Sequence, residues 1–219
     1  IRAYNHILRA VSQWREPPLD CAWPVLVKDN VGVTDLRATA GSYALKALKS
    51  KDAHCIKNLR AAGATPFGKT TMSELAGFLS TTLPPGYSEL GGQGINPINE
   101  RFTPGGSSSG SAIAVAAGFC HAAVATETHG SIVIPSIACG VVGYKPTVGM
   151  VSRNGVIPIS HTLDSVGAIA RDVIGVAKLV QAMAGHDKDD PATLDAPESL
   201  DLTTGLGEDQ SPLKLALAI

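Results

Sequence analysis

The chain has 219 residues, with 18 Lys and Arg against 19 Asp and Glu, a net charge of -1 and 44% hydrophobic residues. This length and apolar content are sufficient for one globular domain with its own core. The near-zero charge, without a basic stripe, argues against nucleic-acid binding. No apolar run approaches the roughly 20 residues that span a bilayer, so a membrane span is not expected either.

The four cysteines stand singly in apolar surroundings, without a Cys-x-x-Cys pair or a histidine at ligand spacing. They are Cys21, Cys55, Cys120 and Cys139. This pattern indicates reduced thiols in the core rather than disulfides or a zinc site. The first residues lack the basic end and apolar stretch of a secretion signal, so we expect a cytoplasmic protein.

Hydrophobic spacing and turn residues predict alternating helices and strands. In chain order these are a helix over 1–14, a strand over 24–27 that ends at Lys28, a helix over 52–62, a strand over 64–67 with a turn at 68–70, a helix over 72–78, an ordered loop over 87–100, a helix over 107–118, a strand over 121–126 and a helix over 172–184. Residues 186–211 are acidic and contain Pro and Gly, which predicts a linker before a final strand over 213–219. The alternation predicts an α/β fold with a covered sheet.

The first candidate functional segment is the loop Pro104-Gly-Gly-Ser-Ser-Ser-Gly-Ser111, which leads into a run of Ala and Val. Glycines let the backbone approach a ligand closely, and the serine hydroxyls lie at a helix N-terminus. On local grounds a phosphate-binding or capping loop is as good an interpretation as a catalytic one. The loop lacks the Gly-Lys-Ser/Thr ending of a P-loop, which argues against nucleotide binding.

Two further segments contain residues that could do chemistry. Ala125-Thr-Glu-Thr-His-Gly-Ser-Ile132 follows a predicted strand, and its consecutive N–H groups could form an oxyanion hole around a nucleophilic Ser131. Ser131 could instead cap the next turn before Pro135, and such caps are far commoner than nucleophiles. Lys28 ends an apolar strand, and taken alone it fits a surface lysine whose stem covers apolar residues while its ammonium group reaches water.

Together these three segments resemble the amidase signature family of serine hydrolases. The resemblance extends along the chain through the segments PVLVKDNVGV, ATAGSYAL, LRAAGATPFGKTTMSELAGF, GGQGINP, PGGSSSGSAIAVAAG, VATETHGSI, GVVGYKPTVGMVSRNGVIPISHTLDSVGAIARDV and AGHDKDDPAT. The Glu-Thr-x-Gly-Ser form and the GSYAL and GGQ segments are most similar to the branch of peptide amidases and fungal or bacterial amidases. The resemblance implies the amidase signature fold, a mixed β-sheet covered by helices on both faces, over a single domain spanning 1–219.

The resemblance also implies roles for individual residues. Ser131 corresponds to the family's nucleophile, Ser107 to its bridging serine and Lys28 to its base. The family's bridging serine follows a cis peptide bond, here between Gly106 and Ser107, and Ser108 resembles a supporting hydroxyl. The corresponding oxyanion donors are the backbone N–H groups of Thr128, His129, Gly130 and Ser131. The implied site uses no metal and no cofactor.

A lysine near its reference pKa of about 10.4 is protonated at pH 7, so Lys28 can act as a base only if burial lowers its pKa by roughly three units. The neutral amine would take a proton through Ser107 from Ser131, which attacks the amide carbon while the N–H groups hold the oxyanion. The proton then returns to the departing amine, and water cleaves the acyl-enzyme. The implied substrate is a small-molecule or peptide amide.

The chain departs from the family pattern in two respects. His129 stands where the family usually has Gly or Asp, and Val133 where many members have Arg. The chain is also shorter than the family's enzymes, which predicts a truncated form with apolar surface exposed to a complementary C-terminal fragment or a second copy of the chain. Lys69 and Asp164 are interpreted as structural residues.

Three functions stay open at this point. The first is an amidohydrolase that cleaves a carboxamide. The second is the amidase component of a glutamine-dependent tRNA amidotransferase, against which Glu127, His129 and Val133 argue, because that branch prefers other residues there. The third is an inactive scaffold that keeps the fold, for which His129 and the short length argue and against which the intact Lys28, Ser107 and Ser131 argue.

Overall fold

The computed structural model describes residues 2–17, 20–197 and 200–207. Its helices are α1 (Arg2–Leu8), α2 (His54–Ala61), α3 (Ser109–Ala116), α4 (Val133–Ala138) and α5 (Val173–Met183). Its strands are β1 (Val11–Trp14), β2 (Pro24–Lys28), β3 (Thr65–Thr70), β4 (Tyr87–Ser88), β5 (Gly92–Gln93), β6 (Ala122–Glu127), β7 (Val142–Tyr144) and β8 (Ser165–Ala170). Short 3₁₀ turns lie at Tyr43–Leu45, Glu74–Gly77 and Pro191–Thr193.

Six strands form one mixed sheet in the order β1-β3-β2-β6-β8-β7, and β4 pairs with β5 separately. The central strand β2 pairs in parallel with both β3 and β6, whereas β1, β8 and β7 join by antiparallel pairing. Because parallel strands end at the same edge of a sheet, the residues that end β2 and β6 lie next to each other. This edge carries the candidate site.

Helices cover both faces of the sheet, as the alternating directions of the side chains along β2 show. Val25 and Val27 pack in a core with α2 and α5, whereas Leu26 packs in a second core with α3. Neighbouring strand residues point to opposite faces, so the two cores lie on opposite sides of the sheet. The predicted fold class, a mixed sheet with helices on both faces, is confirmed.

Several predicted elements are confirmed, with ends that differ by one or two residues. They are the strands at 24–27 and 121–126 and the helices at 52–62, 107–118 and 172–184. Gly63, two residues after the end of α2, has φ +87°, a conformation that glycine adopts without steric cost. Asp172 caps α5, because its side chain accepts a hydrogen bond of 2.6 Å from the Gly175 N–H.

The prediction of one helix over 1–14 is wrong, and so is the turn over 68–70. The helix ends at Leu8, and Val11–Trp14 forms strand β1 because it pairs with β3. Gly68 lies within β3, where an added Cβ would lie 2.6 Å from the Gln13 carbonyl oxygen. This glycine therefore marks a close approach of two strands and not a turn.

The helix predicted over 72–78 is also wrong. Only a 3₁₀ turn forms at Glu74–Gly77, and Leu75 and Ala76 have positive φ angles within it. The Leu75 N–H donates instead to the Ala40 carbonyl oxygen at 2.9 Å, so a long-range bond replaces a helical one. The predicted loop over 87–100 includes the short pair β4 and β5.

Residues 186–197, the first part of the predicted linker, are packed against the domain. Asp187 accepts a hydrogen bond of 2.6 Å from Ser152 Oγ, and Asp190 accepts from both Nε and Nη2 of Arg153, at 2.9 and 2.6 Å. These buried contacts connect the segment to the loop before β8. The predicted final strand over 213–219 lies outside the described residues.

The four cysteines are free thiols. Cys55, Cys120 and Cys139 are buried, and burial raises the pKa of each thiol to about 12. Cys21 is partly exposed. Among the described residues, no helix combines the length and the apolar character that crossing a membrane requires.

Candidate active site

Lys28 ends β2 and points into the protein. Its side chain has no exposed surface. The Nζ atom lies 2.8 Å from Ser107 Oγ and 3.0 Å from both the carbonyl oxygen and Oγ1 of Thr126. The interpretation of Lys28 as a surface lysine is therefore wrong. Its amine is enclosed by Thr126, near the end of the parallel strand β6, and by residues 104–111, the serine-rich loop.

Burial also changes the acidity of Lys28. Loss of hydration disfavours the ammonium form and lowers the pKa of Lys28 from 10.5 to about 7, while the negative charges of Glu127 and Asp164 oppose this change. A substantial fraction of the lysine is consequently a neutral amine at pH 7. Such an amine can accept a proton from Ser107 Oγ, its hydroxyl neighbour in the serine-rich loop.

The serine-rich loop is held between β3 and β6. The peptide bond between Gly106 and Ser107 is cis, and the Ser107 carbonyl oxygen accepts a hydrogen bond from the Ser73 N–H at 3.1 Å. Ser108 Oγ donates to the Thr126 carbonyl oxygen at 3.0 Å, and the Ser108 N–H donates to the Ser131 carbonyl oxygen at 3.1 Å. Ser108 therefore bonds the serine-rich loop both to Thr126, which contacts Lys28, and to Ser131.

The turn formed by residues 128–131 connects β6 to α4. Gly130 has φ +77°, and Ser131 is 6% exposed. Within the described part of the chain, no backbone N–H of residues 128–131 donates a hydrogen bond. These N–H groups are therefore available to an oxygen atom of a ligand.

Two carboxylates hold the residues at the two ends of this turn. Glu127 Oε2 accepts hydrogen bonds from the N–H groups of Ile132 and Val133, at 2.7 and 3.0 Å. Thr128 Oγ1 donates to Asp164 Oδ1 at 2.5 Å, and Asp164 Oδ2 accepts from the N–H groups of Ile159 and Ser160. The structural interpretation of Asp164 fits these contacts.

Ser107 and Ser131 face one open cleft of about 370 Å³. Phe78, Ile134 and the exposed side chain of His129 also line it. A second cavity, of about 190 Å³, lies beyond Thr126 and is lined by Asn30, Thr128 and Asp164 among others. The described residues include no cluster of three or more potential metal ligands.

Sequence reasoning did not identify Thr126 and Asn30 as site residues. Both are buried polar residues at the ends of apolar strands, one directly before Glu127 and the other two positions after Lys28. A buried polar side chain needs a partner, so a polar residue that ends a buried strand was the available signal. Of the residues predicted from the family resemblance, Lys28 and Ser107 are in hydrogen-bond contact, and Ser107 and Ser131 line the same cleft.

A family model described as Amidase matches residues 7–219. The chain belongs to the amidase family. Among solved structures, this chain is similar to the native peptide amidase of Stenotrophomonas maltophilia, with a TM-score of 0.84 and 43% identity over 88% of this chain and 43% of that one. The predicted family is thus confirmed.

Two sequence relatives represent different branches of the amidase family. A Schizosaccharomyces pombe protein named as an amidase is 49% identical over 78% of this chain and 30% of its own length. A glutamyl-tRNA(Gln) amidotransferase subunit of Methanospirillum hungatei is 42% identical over 79% of this chain and 39% of its own length. The chain thus spans about a third of the length of the curated relatives that it matches.

Proposed function

We propose that this chain carries the catalytic centre of an amidohydrolase that cleaves a carboxamide C–N bond, with Ser131 as nucleophile, Ser107 as bridging hydroxyl and Lys28 as base. The observation that carries the proposal is the distance of 2.8 Å between Lys28 Nζ and Ser107 Oγ inside a fully buried environment. A buried lysine with a pKa of about 7 is suited to proton transfer near neutral pH.

In the first half-reaction, Lys28 Nζ takes the proton of Ser107 Oγ while Ser107 takes the proton of Ser131 Oγ. Ser131 Oγ forms a bond to the amide carbon, and the negative charge moves to the carbonyl oxygen. The free N–H groups of residues 128–131 can stabilise this oxyanion. Glu127 and Asp164 support these donors because they hold the two flanks of the turn.

As the first half-reaction continues, the proton returns from Lys28 through Ser107 to the amide nitrogen. The C–N bond then breaks, the amine departs, and the acyl group stays bound to Ser131 Oγ. A water molecule gives a proton to the same relay and attacks the acyl carbon, so the carboxylic acid leaves and the Ser131 hydroxyl is restored. Each proton that the base accepts is returned within the cycle.

The substrate class that we propose is a small-molecule or peptide amide. The similarity to a peptide amidase with a TM-score of 0.84 supports this class. A role as a component of a tRNA amidotransferase is the second candidate, favoured by the 42% identity to the amidotransferase protein of Methanospirillum hungatei. An inactive scaffold is the third, and the intact contact of Lys28 with Ser107 argues against it.

The proposal extends to location and partners. Free thiols are typical of reducing compartments, so the four unpaired cysteines support a cytoplasmic location. Exposed Val133, Ile134 and Ile137 on α4 support a complementary C-terminal segment or a second copy of the chain as a partner. The proposed site needs neither nucleic acid nor a cofactor.

A fluorophosphonate probe tests the proposed nucleophile. We expect the probe to label the protein at Ser131, as located by peptide mass spectrometry, and labelling to be lost in Ser131→Ala. Ser136→Ala is the matched control, because Ser136 is a buried serine of the next helix that bonds only the Ile132 carbonyl oxygen among the described residues. Equal labelling of Ser131→Ala and the unsubstituted protein would rule out this nucleophile.

A further inference from the structure

Asn30 is a buried amide that the relay described above does not use. It is 3% exposed, and its Nδ2 donates to Thr126 Oγ1 at 3.0 Å. Its Oδ1 is buried without a hydrogen-bond partner among the described residues. Leaving a buried acceptor unpaired is unfavourable, so this amide needs an explanation beyond packing.

The Thr126 hydroxyl that Asn30 contacts also contacts the amine of Lys28. A neutral amine has two N–H groups and one lone pair. When the N–H groups donate to the carbonyl oxygen and Oγ1 of Thr126, the remaining direction of Nζ faces Ser107 Oγ. The lone pair therefore points at the bridging serine only while the Thr126 hydroxyl accepts from Lys28. If this hydroxyl donated to Nζ, it would occupy the lone pair.

The direction of the Thr126 hydroxyl depends on which atom Asn30 presents to it. With Nδ2 towards Thr126, as in the structure, the hydroxyl accepts from Asn30, and its own hydrogen is free to bond to Lys28. Rotation of the amide by half a turn exchanges Nδ2 and Oδ1, two atoms of nearly equal size. Oδ1 then accepts the hydroxyl hydrogen, and Thr126 Oγ1 accepts from Lys28.

We propose that Asn30 is a positioning residue whose amide oxygen holds the Thr126 hydroxyl as an acceptor and thereby directs the lone pair of Lys28 towards Ser107. This inference rests on the proposed function of Lys28 as a base. It pairs Oδ1 with the Thr126 hydroxyl, moves Nδ2 to the position that Oδ1 occupies in the structure, and assigns Thr126 a role besides packing. Asn30 acts through two residues and does not touch the reacting atoms.

Other charged groups face this network from the surrounding elements. Glu127 on β6 and Asp164 before β8 act on Lys28, while Asp29 and the buried Lys69 of β3 form a pair beside it. The cavity next to Asn30 is also lined by Arg153, His161, Asp189 and Asp190. Variants of Asn30 leave all these groups in place, so differences among the variants report on the amide itself.

The rate of fluorophosphonate labelling measured against pH is the first test. Asn30→Leu removes the amide at similar size, and we expect a loss of about tenfold in the limiting rate at high pH, the effect of one hydrogen bond. Asn30→Asp keeps an acceptor and adds a negative charge, so its limiting rate is retained while the midpoint rises by about one pH unit. Asn58→Leu is the matched control, since Asn58 bonds only carbonyl oxygens near the end of α5 among the described residues.

A double-substitution cycle shows whether Asn30 acts through Thr126. We expect Thr126→Val to label slowly and Thr126→Ser, which keeps the hydroxyl, to label faster than Thr126→Val. In the Thr126→Val background, Asn30→Leu should cause no further loss, because the hydroxyl that Asn30 orients is absent. A further tenfold loss in that background, or a limiting rate of Asn30→Leu equal to that of the unsubstituted protein, overturns the proposal.

A second readout does not require labelling. The ¹⁵N resonance of Lys28 Nζ, assigned by its loss in Lys28→Met, reports the titration of the amine directly. We expect Asn30→Leu to move its midpoint in the unsubstituted protein but not in the Thr126→Val background. Equal movement in both backgrounds overturns the role of Asn30. Absence of labelling with a normal Lys28 titration would contradict the proposed function instead, so the two failures are distinguishable.

Discussion

Lys69 Nζ lies 3.7 Å from Asp29 Oδ1, and both side chains are buried beside the strand that ends in Lys28. The same amine donates to the carbonyl oxygens of Val31 and Arg37, at 2.7 and 3.1 Å. Lys69 therefore holds the backbone that directly follows Lys28. This arrangement supports a structural role for Lys69, the second buried lysine of the sheet.

Loss of this second lysine is expected to destabilise the fold. Lys69→Met leaves the Asp29 carboxylate buried without its cation, which costs about 3–5 kcal/mol in the free energy of unfolding. Urea denaturation measures the change, and Lys178→Met at an exposed position of α5 is the control. Removing both partners in Lys69→Met with Asp29→Asn should cost less than Lys69→Met alone. A larger cost of the double variant would contradict the pairing.

The labelling rate should depend on pH through Lys28. The neutral amine is the active form, so the rate rises with pH around a midpoint of about 7. Glu127→Gln removes a negative charge that favours the ammonium form, and its midpoint should therefore lie below that of the unsubstituted protein. Labelling rates measured between about pH 5 and pH 9, which covers the titration of one such group, check the midpoint and its shift in Glu127→Gln. A higher midpoint in Glu127→Gln would show that the charge acts in the opposite sense.

The buried lysine also links stability to pH. Its pKa is about 7 in the folded protein against an ordinary value of 10.5, so between these values the unfolded chain binds more protons. The free energy of unfolding therefore rises with pH across this window, by about 1.4 kcal/mol per unit for one group. Relative to Lys28→Met, the unsubstituted protein should gain about 2 kcal/mol between pH 7.5 and pH 9, as measured by urea denaturation. A constant difference would place the Lys28 titration outside this window.

Two neighbouring positions of the nucleophile turn should respond differently to alanine. The His129 side chain is exposed in the cleft, so His129→Ala keeps the backbone N–H and should label at nearly the original rate. Gly130 has φ +77°, and a Cβ there would lie 2.5 Å from Ile134 Cδ1. Gly130→Ala should therefore displace the N–H donors and slow labelling by about 10²-fold, the effect of losing one oxyanion donor. Stopped-flow labelling at one pH compares the two variants, and a slower His129→Ala would assign a function to the imidazole.

The sequence predicted those elements that show apolar spacing, capping residues or stop residues within their own segment. Helix α5 follows from its apolar spacing, the Asp172 cap and the Gly185 stop, and β2 follows from its apolar run. Strand β1 could not be predicted, because its four residues are extended only through pairing with β3. Strand β8 was missed although all six of its residues are buried, since Ser, Gly and Ala interrupt the apolar pattern.

The candidate site was predictable to a different degree. Family resemblance identified Lys28, Ser107 and Ser131, whereas the residue pattern alone favoured a surface lysine and a capping serine. The decisive property of Lys28 is its complete burial. Burial depends on Thr126 and on a loop that begins more than seventy residues later in the chain, as the sequence separation of 79 between Lys28 and Ser107 illustrates. No local pattern encodes such a contact.

The distribution of the thiols has a practical consequence. With Cys55, Cys120 and Cys139 enclosed in the core and their pKa raised to about 12, maleimide reagents at neutral pH should react at Cys21 alone in the native protein. Cys21 lies three residues before β2, the strand that ends in Lys28. A fluorophore attached there would report on the base's strand while every residue of the relay stays unmodified.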